Sequence, residues 1–257
     1  MIRRSRVNLT QPLNRKHPLN VALATHLPRL PQWTGGSRWA DISYRTPGAA
    51  ITGSYFWRAT PYGPGIWFSG VVGSGTATIG NGLALAGTPF TIAIAFNCPA
   101  PSTSQGTLFN STNGNSTRRW LHLRAGSGTT FRFGMYNDDL DVTVADYSGK
   151  DTIVHCTLST GFVQTVYFNG VQVGQRTAGG FGAWDNSYSM PPPNPTTIWS
   201  VRCHTRSLSA TEVAADYAAS LLPAWRDPRL QTFPQRPLYG TQSAVQQQQL
   251  MLMGVGW

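Results

Sequence analysis

The feature that most constrains the fold of this chain is the regular interruption of short apolar runs by glycine and proline. The 257 residues include 27 glycines and 18 prolines, which separate runs such as GIWFSGV, TATIG and FTIAIAFN. Runs of this length, rich in β-branched and aromatic residues and bounded by turn formers, are typical of strands. Because charged residues make up 12% of the chain, long amphipathic helices are disfavoured as well. The pattern predicts an all-β fold.

Single segments support this interpretation. Apolar Phe131, Phe133 and Met135 alternate with Arg132 and Gly134. An alternation with period two predicts a strand that turns one face toward a core.

A hairpin is predicted at Asn169-Gly170, since Asn-Gly favours the type I′ turn, in which both central residues take positive φ. The preceding strand, IVHCTL, carries His155 within an apolar run. We interpret His155 as a histidine with satisfied hydrogen bonds in the core or at an edge, and not as a catalytic base.

One helix is predicted, in SLSATEVAADYAASLL. Ser209 can cap its N-terminus and Glu212, three residues later, completes a capping box. Val213, Tyr217 and Leu221 fall near one face, which predicts that this face packs against the sheet.

The order of these elements resembles a known family. IVHCTL, VYFNGVQVG and WSVRCHTRSLSATEVAADY are similar to the closing block of the laminin-G-like jelly rolls in the concanavalin A-like superfamily, and the resemblance covers roughly residues 60 to 222. It implies a two-sheet antiparallel jelly-roll sandwich with one short C-terminal helix and extended terminal arms. The opening PLN and the Trp- and Gly-rich segment after it further resemble laminin-G-like proteins encoded by phages.

The charge is distributed unevenly along the chain. Residues 1–58 carry nine Lys or Arg and one Asp, whereas residues 59–222 carry eight charges of each sign. We therefore predict a basic N-terminal arm over 1–20, a jelly-roll domain over 21–222 and a C-terminal arm over 223–257. A neutral body disfavours specific nucleic-acid binding, and the arms either contact partner proteins or are solvated.

Localisation and partners follow as expectations. No apolar run resembles a signal peptide, and none approaches the ~20 residues of a membrane span. We expect a protein made in a host cytoplasm and assembled into a virion, where its arms bind other virion proteins. The Gln-rich end, with LMLMGVGW, favours docking on a neighbour and hence a homo-oligomer, with disorder as the alternative.

Enzymatic chemistry is disfavoured. Glycosidases need two carboxyl groups flanking the scissile bond, and Glu212 is the sole glutamate of the chain. No G-x-S-x-G elbow, P-loop or dinucleotide motif is present. The three cysteines have no metal-ligand spacing and are predicted to be buried free thiols: Cys98, Cys156 and Cys203.

No cofactor is predicted. Where the family often carries an acidic pair that helps to hold calcium, this chain has FSGVVGSGT, and Trp199-Ser200 replaces another acidic position. A second calcium hypothesis concerns the densest acidic cluster, but its spacing does not fit an EF-hand, and a solvated β-turn is the favoured interpretation. That cluster comprises Asn137, Asp138, Asp139 and Asp141.

A glycan site is predicted in the loop GGFGAWDNSYSMPPP, because aromatic faces stack on sugars while amides and carboxylates reach hydroxyls. Its candidate residues are Trp184, Asp185, Asn186 and Tyr188. The alternative is that Trp184 plugs the end of the sandwich. A second aromatic run is predicted to pack on the core: Tyr55, Phe56, Trp57, Tyr62 and Trp67.

The leading functional hypothesis is a non-enzymatic phage virion structural protein, either a capsid decoration protein or a tail-associated protein, with a lectin-like domain that binds a cell-surface glycan. The alternative is a stand-alone carbohydrate-binding module.

Overall fold

A computed structural model describes residues 17–27, 34–35, 37–39, 48–69, 75–80, 83–101, 106–112, 121–180, 187–191 and 195–222. Within these ranges the chain forms two antiparallel sheets packed face to face, with one α-helix against the outer face of one of them. The predicted all-β jelly-roll sandwich is thereby confirmed. Most of both predicted arms, residues 1–16 and 223–257, lies outside the described residues.

The strands have the following bounds: β1 Leu23–Leu27, β2 Thr34–Gly35, β3 Arg38–Trp39, β4 Ala49–Gly53, β5 Tyr55–Thr60, β6 Gly63–Phe68, β7 Gly75–Ile79, β8 Phe90–Asn97 and β9 Gly106–Ser111. They continue with β10 Leu121–Ala125, β11 Thr130–Met135, β12 Leu140–Thr143, β13 Thr152–Leu158, β14 Val163–Phe168, β15 Val171–Thr177, β16 Tyr188–Met190 and β17 Thr196–His204. The helix α1 spans Ala210–Ser220, and a 3-10 turn spans Pro18–Asn20.

The first sheet has the strand order β15-β14-β13-β8-β17-β6-β5. An eighth strand, β1, pairs with β17 on the same side as β6. β17 therefore lies near the middle: its first residues pair with β6, and its last residues pair with β1. The second sheet has the order β12-β11-β10-β9-β16-β7-β4-β3-β2. The hairpin of β5 and β6 forms one edge of the first sheet.

The core lies between the two sheets. Phe131, Phe133 and Met135 face it while Arg132 and Gly134 face outward, which confirms the predicted alternation. The predicted buried thiols are also confirmed: Cys98, Cys156 and Cys203 are free and buried. Burial raises the pKa of the thiols of Cys98 and Cys156.

The local turn and cap predictions hold. Asn169 and Gly170 have φ of 50° and 80°, as a type I′ hairpin requires. The Ser209 side chain accepts a hydrogen bond from the Glu212 amide, and Glu212 accepts one from the Ser209 amide in return. The capping box therefore starts α1 where the sequence predicted.

The buried face of α1 differs from the predicted one. Val213 is buried and Tyr217 partly buried, but Leu221 is 38% exposed because the helix ends at Ser220. Asp216, fully buried, lies at the centre of the face instead. The sheet beneath α1 presents polar groups at this point, and a carboxylate rather than a leucine matches them.

These polar groups form a buried network between α1 and the first sheet. The Asp216 carboxylate accepts hydrogen bonds from Arg202 Nη2 at 2.5 Å and contacts His155 Nε2 at 2.7 Å. Arg202 also donates to the hydroxyl oxygens of Ser200 and Ser220, each at 2.9 Å. His155 is thus a buried histidine with a structural partner, as predicted. Removing one partner from such a pair leaves a buried charge uncompensated.

His204 lies on the same face, two residues beyond Arg202, and is 1% exposed. Neither ring nitrogen has a hydrogen-bond partner among the described residues. Burial and the charges of Arg202, Arg206 and His155 together outweigh the attraction of Asp216, and they lower the pKa of His204 to about 3. His204 is therefore neutral in the folded protein at any pH well above 3.

We expect acidification to destabilise the fold partly through His204. The pKa of His204 is about 3 in the folded protein and about 6.5 in the unfolded chain. Its contribution to the free energy of unfolding is therefore complete above pH 6.5 and is lost as the pH falls toward 3. The loss approaches ~1.4 kcal/mol per pH unit within that window. Denaturant unfolding of His204→Leu between pH 7 and 4 should show a shallower decline than that of the wild type.

The control is Val171→Ala, at a side chain that does not titrate and is 66% exposed, which should leave the wild-type slope unchanged. Equal slopes for wild type and His204→Leu would show that His204 does not remain neutral on acidification.

Candidate functional site: an aromatic strip on the edge hairpin

The predicted glycan-site residues divide into two groups. Trp184, Asp185 and Asn186 lie outside the described residues, so their role stays a prediction. Tyr188 faces the core on β16, fully buried, and its ring stacks on Phe109 with centroids 5.3 Å apart. It has no free ring face for a sugar, so the prediction that Tyr188 binds a ligand is wrong. The strand alternation that points Tyr188 inward is the reason.

The carboxylates of the acidic cluster, for which calcium binding was one hypothesis, form ion pairs with arginines. Asp138 accepts from Arg176 Nη2 at 2.6 Å and from the Gly179 amide at 2.7 Å. Arg132 bridges Asp139, at 3.2 Å, and Asp141, at 2.6 Å. These carboxylates are therefore neutralised by Arg132 of the second sheet and Arg176 of the first.

Within the described ranges no group of three His, Cys, Asp or Glu is arranged to hold a metal ion. Burial raises the pKa of Asp139, but His122, Arg132 and Arg124 outweigh it, and the net shift is downward. The carboxylates of the cluster form an ion-pair network around the β11–β12 turn.

The described surface carries an aromatic patch where the sequence predicted packing. Strand β5 alternates, so that Tyr55 and Trp57 pack against the core while Phe56 and Arg58 face outward. On the neighbouring strand, Trp67 faces outward opposite Phe56. The packing prediction holds for Tyr55 and Trp57 and is wrong for Phe56, which is 50% exposed.

Phe56 and Trp67 form a stacked pair across the hairpin. Their ring centroids are 4.5 Å apart and their planes make an angle of 27°. Cross-strand aromatic pairs stabilise a hairpin, and offset stacking is a favoured geometry. One face of Phe56 rests on Trp67, and half of the Phe56 side chain remains in contact with water.

Polar groups flank this pair on the same outer face. Thr197 pairs with Trp67 in the sheet, and Arg58 lies two residues from Phe56 along β5. The Arg58 guanidinium donates to Thr197 Oγ1 at 3.5 Å. We name the four residues Phe56, Arg58, Trp67 and Thr197 the aromatic strip.

A glycine makes this arrangement possible. Gly65 pairs with Arg58, and a Cβ at this position would lie 3.0 Å from Thr197 Cγ2 and 3.1 Å from the carbonyl oxygen of Ile198. Such contacts are too short for an ordinary side chain. The Arg58 side chain can therefore extend across Gly65 toward Thr197 without an intervening side chain.

Aromatic contacts continue past the strip. Tyr62, in the turn between β5 and β6, stacks on Trp199 of β17 with centroids 5.3 Å apart. Trp199 is buried among Ala95, Ile153 and the partly buried Tyr217 of α1. This second stack anchors the hairpin to the covered part of the sheet and gives the strip a rigid support.

A shallow cavity of about 300 Å³ forms a second surface feature, at the loops that precede β8 and β14. It is lined by Gly87, Pro89, Ser159, Thr160 and Phe162. Phe162 is 38% exposed and has a φ of 59°, an unusual value for a non-glycine residue. Sequence reasoning missed Phe162, since an isolated phenylalanine after a turn carries no pattern.

No family model and no curated protein matches the chain. Solved structures do resemble its fold. One is domain 4 of AbnA, an extracellular GH43 arabinanase from Geobacillus stearothermophilus, with a TM-score of 0.60, 18% identity, and a match over 76% of this chain and 98% of that one.

Two toxin structures are similar to the same extent. The binding domain of Paraclostridial Mosquitocidal Protein 1 has a TM-score of 0.60 and 12% identity over 77% of this chain. Botulinum neurotoxin type C has a TM-score of 0.61 and 12% identity over 79% of this chain. The match spans 52% of each toxin chain, about half of its length. At these identities the likeness establishes a shared sandwich fold.

We expect calcium to have no effect on stability, because arginines already occupy the carboxylates that would bind it. Millimolar calcium should leave the melting temperature unchanged, whereas Asp138→Asn should cost about 1–3 kcal/mol, the usual range for a broken buried charged hydrogen bond. Asp141→Asn, at a carboxylate that is 57% exposed, is the matched control and should cost less than about 1 kcal/mol. A calcium-induced rise that Asp138→Asn abolishes would contradict this assignment.

Proposed function

We propose that this chain is a non-enzymatic glycan-binding sandwich, with the aromatic strip as its binding surface. The observation that carries the proposal is the half-exposed Phe56 ring, held flat on Trp67 and flanked by the exposed guanidinium of Arg58, which donates to the buried Thr197 hydroxyl. A sugar ring presents C–H groups to an aromatic face and hydroxyls at its rim. The strip offers partners for both within one surface.

The carboxylates favour binding over hydrolysis. A glycosidase needs a protonated acid beside a second carboxylate, and the pKa of its acid is raised. The pKa of Glu212 is lowered to about 2 by its hydrogen bonds with Arg206 and Ser209, and that of Asp139 is lowered too. Asp216 lies on the inner face of α1 and is fully buried. None of these three groups suits a general acid.

The fold relatives are consistent with this proposal. The arabinanase domain was solved in complex with arabinotriose, and cell entry of botulinum neurotoxin type C depends on two ganglioside molecules. The toxin from Paraclostridium is represented by its binding domain as well. The sandwich therefore serves in proteins that bind glycans, and the strip is the surface of this chain that we propose for that role.

We further propose that the chain is a virion structural protein, with terminal segments that fasten it to neighbouring copies or to other virion proteins. The observation that favours this role is the charge distribution: residues 1–58 carry nine of the 20 Lys and Arg, and the sequence closes on an apolar LMLMGVGW. Segments of these two kinds gain stability when a partner surface covers them. Glycan binding would then serve attachment to a cell surface.

The test of the glycan proposal begins with a glycan array, followed by calorimetry on the best ligand. Phe56→Ala and Trp67→Ala should each weaken binding about fivefold, since loss of an aromatic contact costs roughly 1 kcal/mol and 1.4 kcal/mol is a factor of ten. Phe162→Ala is the matched control, because it removes an exposed phenyl ring from the shallow cavity instead. It should leave the affinity unchanged.

Three results would contradict this proposal. Weakening by Phe162→Ala alone would place the glycan in the cavity. The absence of any bound glycan on a broad array would argue against the function itself. A change in the number of chains per particle in Phe56→Ala, measured by light scattering, would identify the strip as a contact between copies.

The virion proposal predicts that the terminal segments drive assembly. Light scattering should find a defined oligomer for the full chain and a folded monomer for a chain that lacks residues 1–16 and 240–257. Circular dichroism of the shortened chain provides the control for folding. Monomers in both cases would remove the support for assembly through these segments.

A further inference from the structure

Arg58 differs from the other arginines whose partners are known. Arg132, Arg176, Arg202 and Arg206 each form an ion pair with a carboxylate. Arg58 has a single hydrogen bond, to the neutral hydroxyl of Thr197 at 3.5 Å, and no carboxylate partner among the described residues. Among the described residues, four arginines are thus paired with carboxylates, whereas Arg58 is exposed and has no such pair.

The three strands around Arg58 carry no opposing charge. Strands β5, β6 and β17 form this end of the sheet and contain no aspartate or glutamate along their lengths. Beside Arg58 lie the apolar rings of Phe56 and Trp67 and the backbone at Gly65. A guanidinium beside apolar surface is less screened than one in open water, and it attracts an anion more strongly.

The spacing suits a ligand that combines a ring with a carboxylate. Phe56 and Arg58 project from the same face of β5 two residues apart, which separates their Cα atoms by about 6.8 Å. A sugar ring stacked on Phe56 would direct a carboxylate on its rim toward the guanidinium. Guanidinium and carboxylate are planar and can form two parallel hydrogen bonds.

We infer that the aromatic strip selects acidic saccharides, in which a uronic-acid carboxylate binds Arg58 while the sugar ring stacks on Phe56. This inference rests on the proposed glycan-binding function and adds the class of ligand. Thr197 holds the guanidinium beside the stack, and Gly65 keeps the path between them clear. A neutral sugar would lack the contact between carboxylate and guanidinium and would bind more weakly.

The test compares two ligands that differ at their carboxyl groups alone: trigalacturonic acid, which is charged, and its trimethyl ester, which is neutral. Calorimetry on the full chain should give an affinity for the acid about tenfold higher, as expected for a charge-assisted hydrogen bond. The preference should shrink as salt is raised, because screening weakens an exposed ion pair. The Trp67 indole N–H signal in NMR spectra should shift with both ligands, which locates them on the strip.

Variants separate charge from stacking. Arg58→Gln should abolish the preference, so that this variant binds the acid and the ester with equal affinity. Arg58→Lys should retain part of the preference, since it keeps the charge and loses the planar fork. Lys150→Gln removes an equal charge from an exposed lysine elsewhere and is the matched control, with wild-type preference expected.

The outcomes separate this inference from the proposed function. Equal affinities for acid and ester, both weakened by Phe56→Ala, would overturn the acidic selectivity and leave glycan binding in place. A preference for the acid that survives Arg58→Gln would also overturn it. If neither ligand moves the Trp67 signal and the glycan array finds no other saccharide that does, the proposed function fails together with the inference.

Discussion

Strand β17 is buried along all nine of its residues, so other parts of the chain must cover both of its faces. Its inner face contributes Ile198 and Val201 to the core, but its outer face places Arg202 where water does not reach. A buried guanidinium requires matched acceptors, because desolvation of an unpaired charge costs several kcal/mol. Asp216 and Ser220 meet that requirement from α1. The position of the helix on the sheet follows from this one interaction.

The helix α1 covers the central strands of the first sheet and not its edge hairpin, and this difference explains where the candidate site lies. Tyr217 packs with Ala95, Ile153 and Trp199, which belong to β8, β13 and β17. The edge hairpin β5–β6 lies beyond this region, and Phe56 on its outer face remains half-exposed. The network that fixes the helix over the centre of the sheet therefore also leaves the aromatic strip open at its edge.

Interactions between near neighbours in sequence were predictable, and those between distant residues were not. The hairpin at Asn169 and the capping box at Ser209 follow from backbone preferences of a few adjacent residues, and both are confirmed. The buried carboxylate of Asp216 escaped prediction because its partner Arg202 lies 14 residues earlier, on a sheet whose outer face the sequence does not identify. Tyr188 was assigned to a binding loop on composition, although strand pairing directs it inward. In Tyr-Phe-Trp-Arg, aromatic residues occupy both faces of the strand, so alternation could not tell that Phe56 is the exposed ring.

An exposed aromatic ring on an edge strand is a liability, because unpaired edges with apolar faces promote association between chains. The edge here carries features that oppose such pairing: Pro61 follows β5, Pro64 lies on β6, and Arg58 places a charge beside the apolar stack. Among the described residues Arg58 has no carboxylate partner, in contrast to the ion-paired Arg132 and Arg176. If protection of the edge were its sole task, a nearby aspartate would serve the packing of the hairpin better than a charge that no described carboxylate balances. The charge that discourages a second strand is also the group that a carboxylate on a sugar would bind, so one residue can both protect the edge and define the ligand.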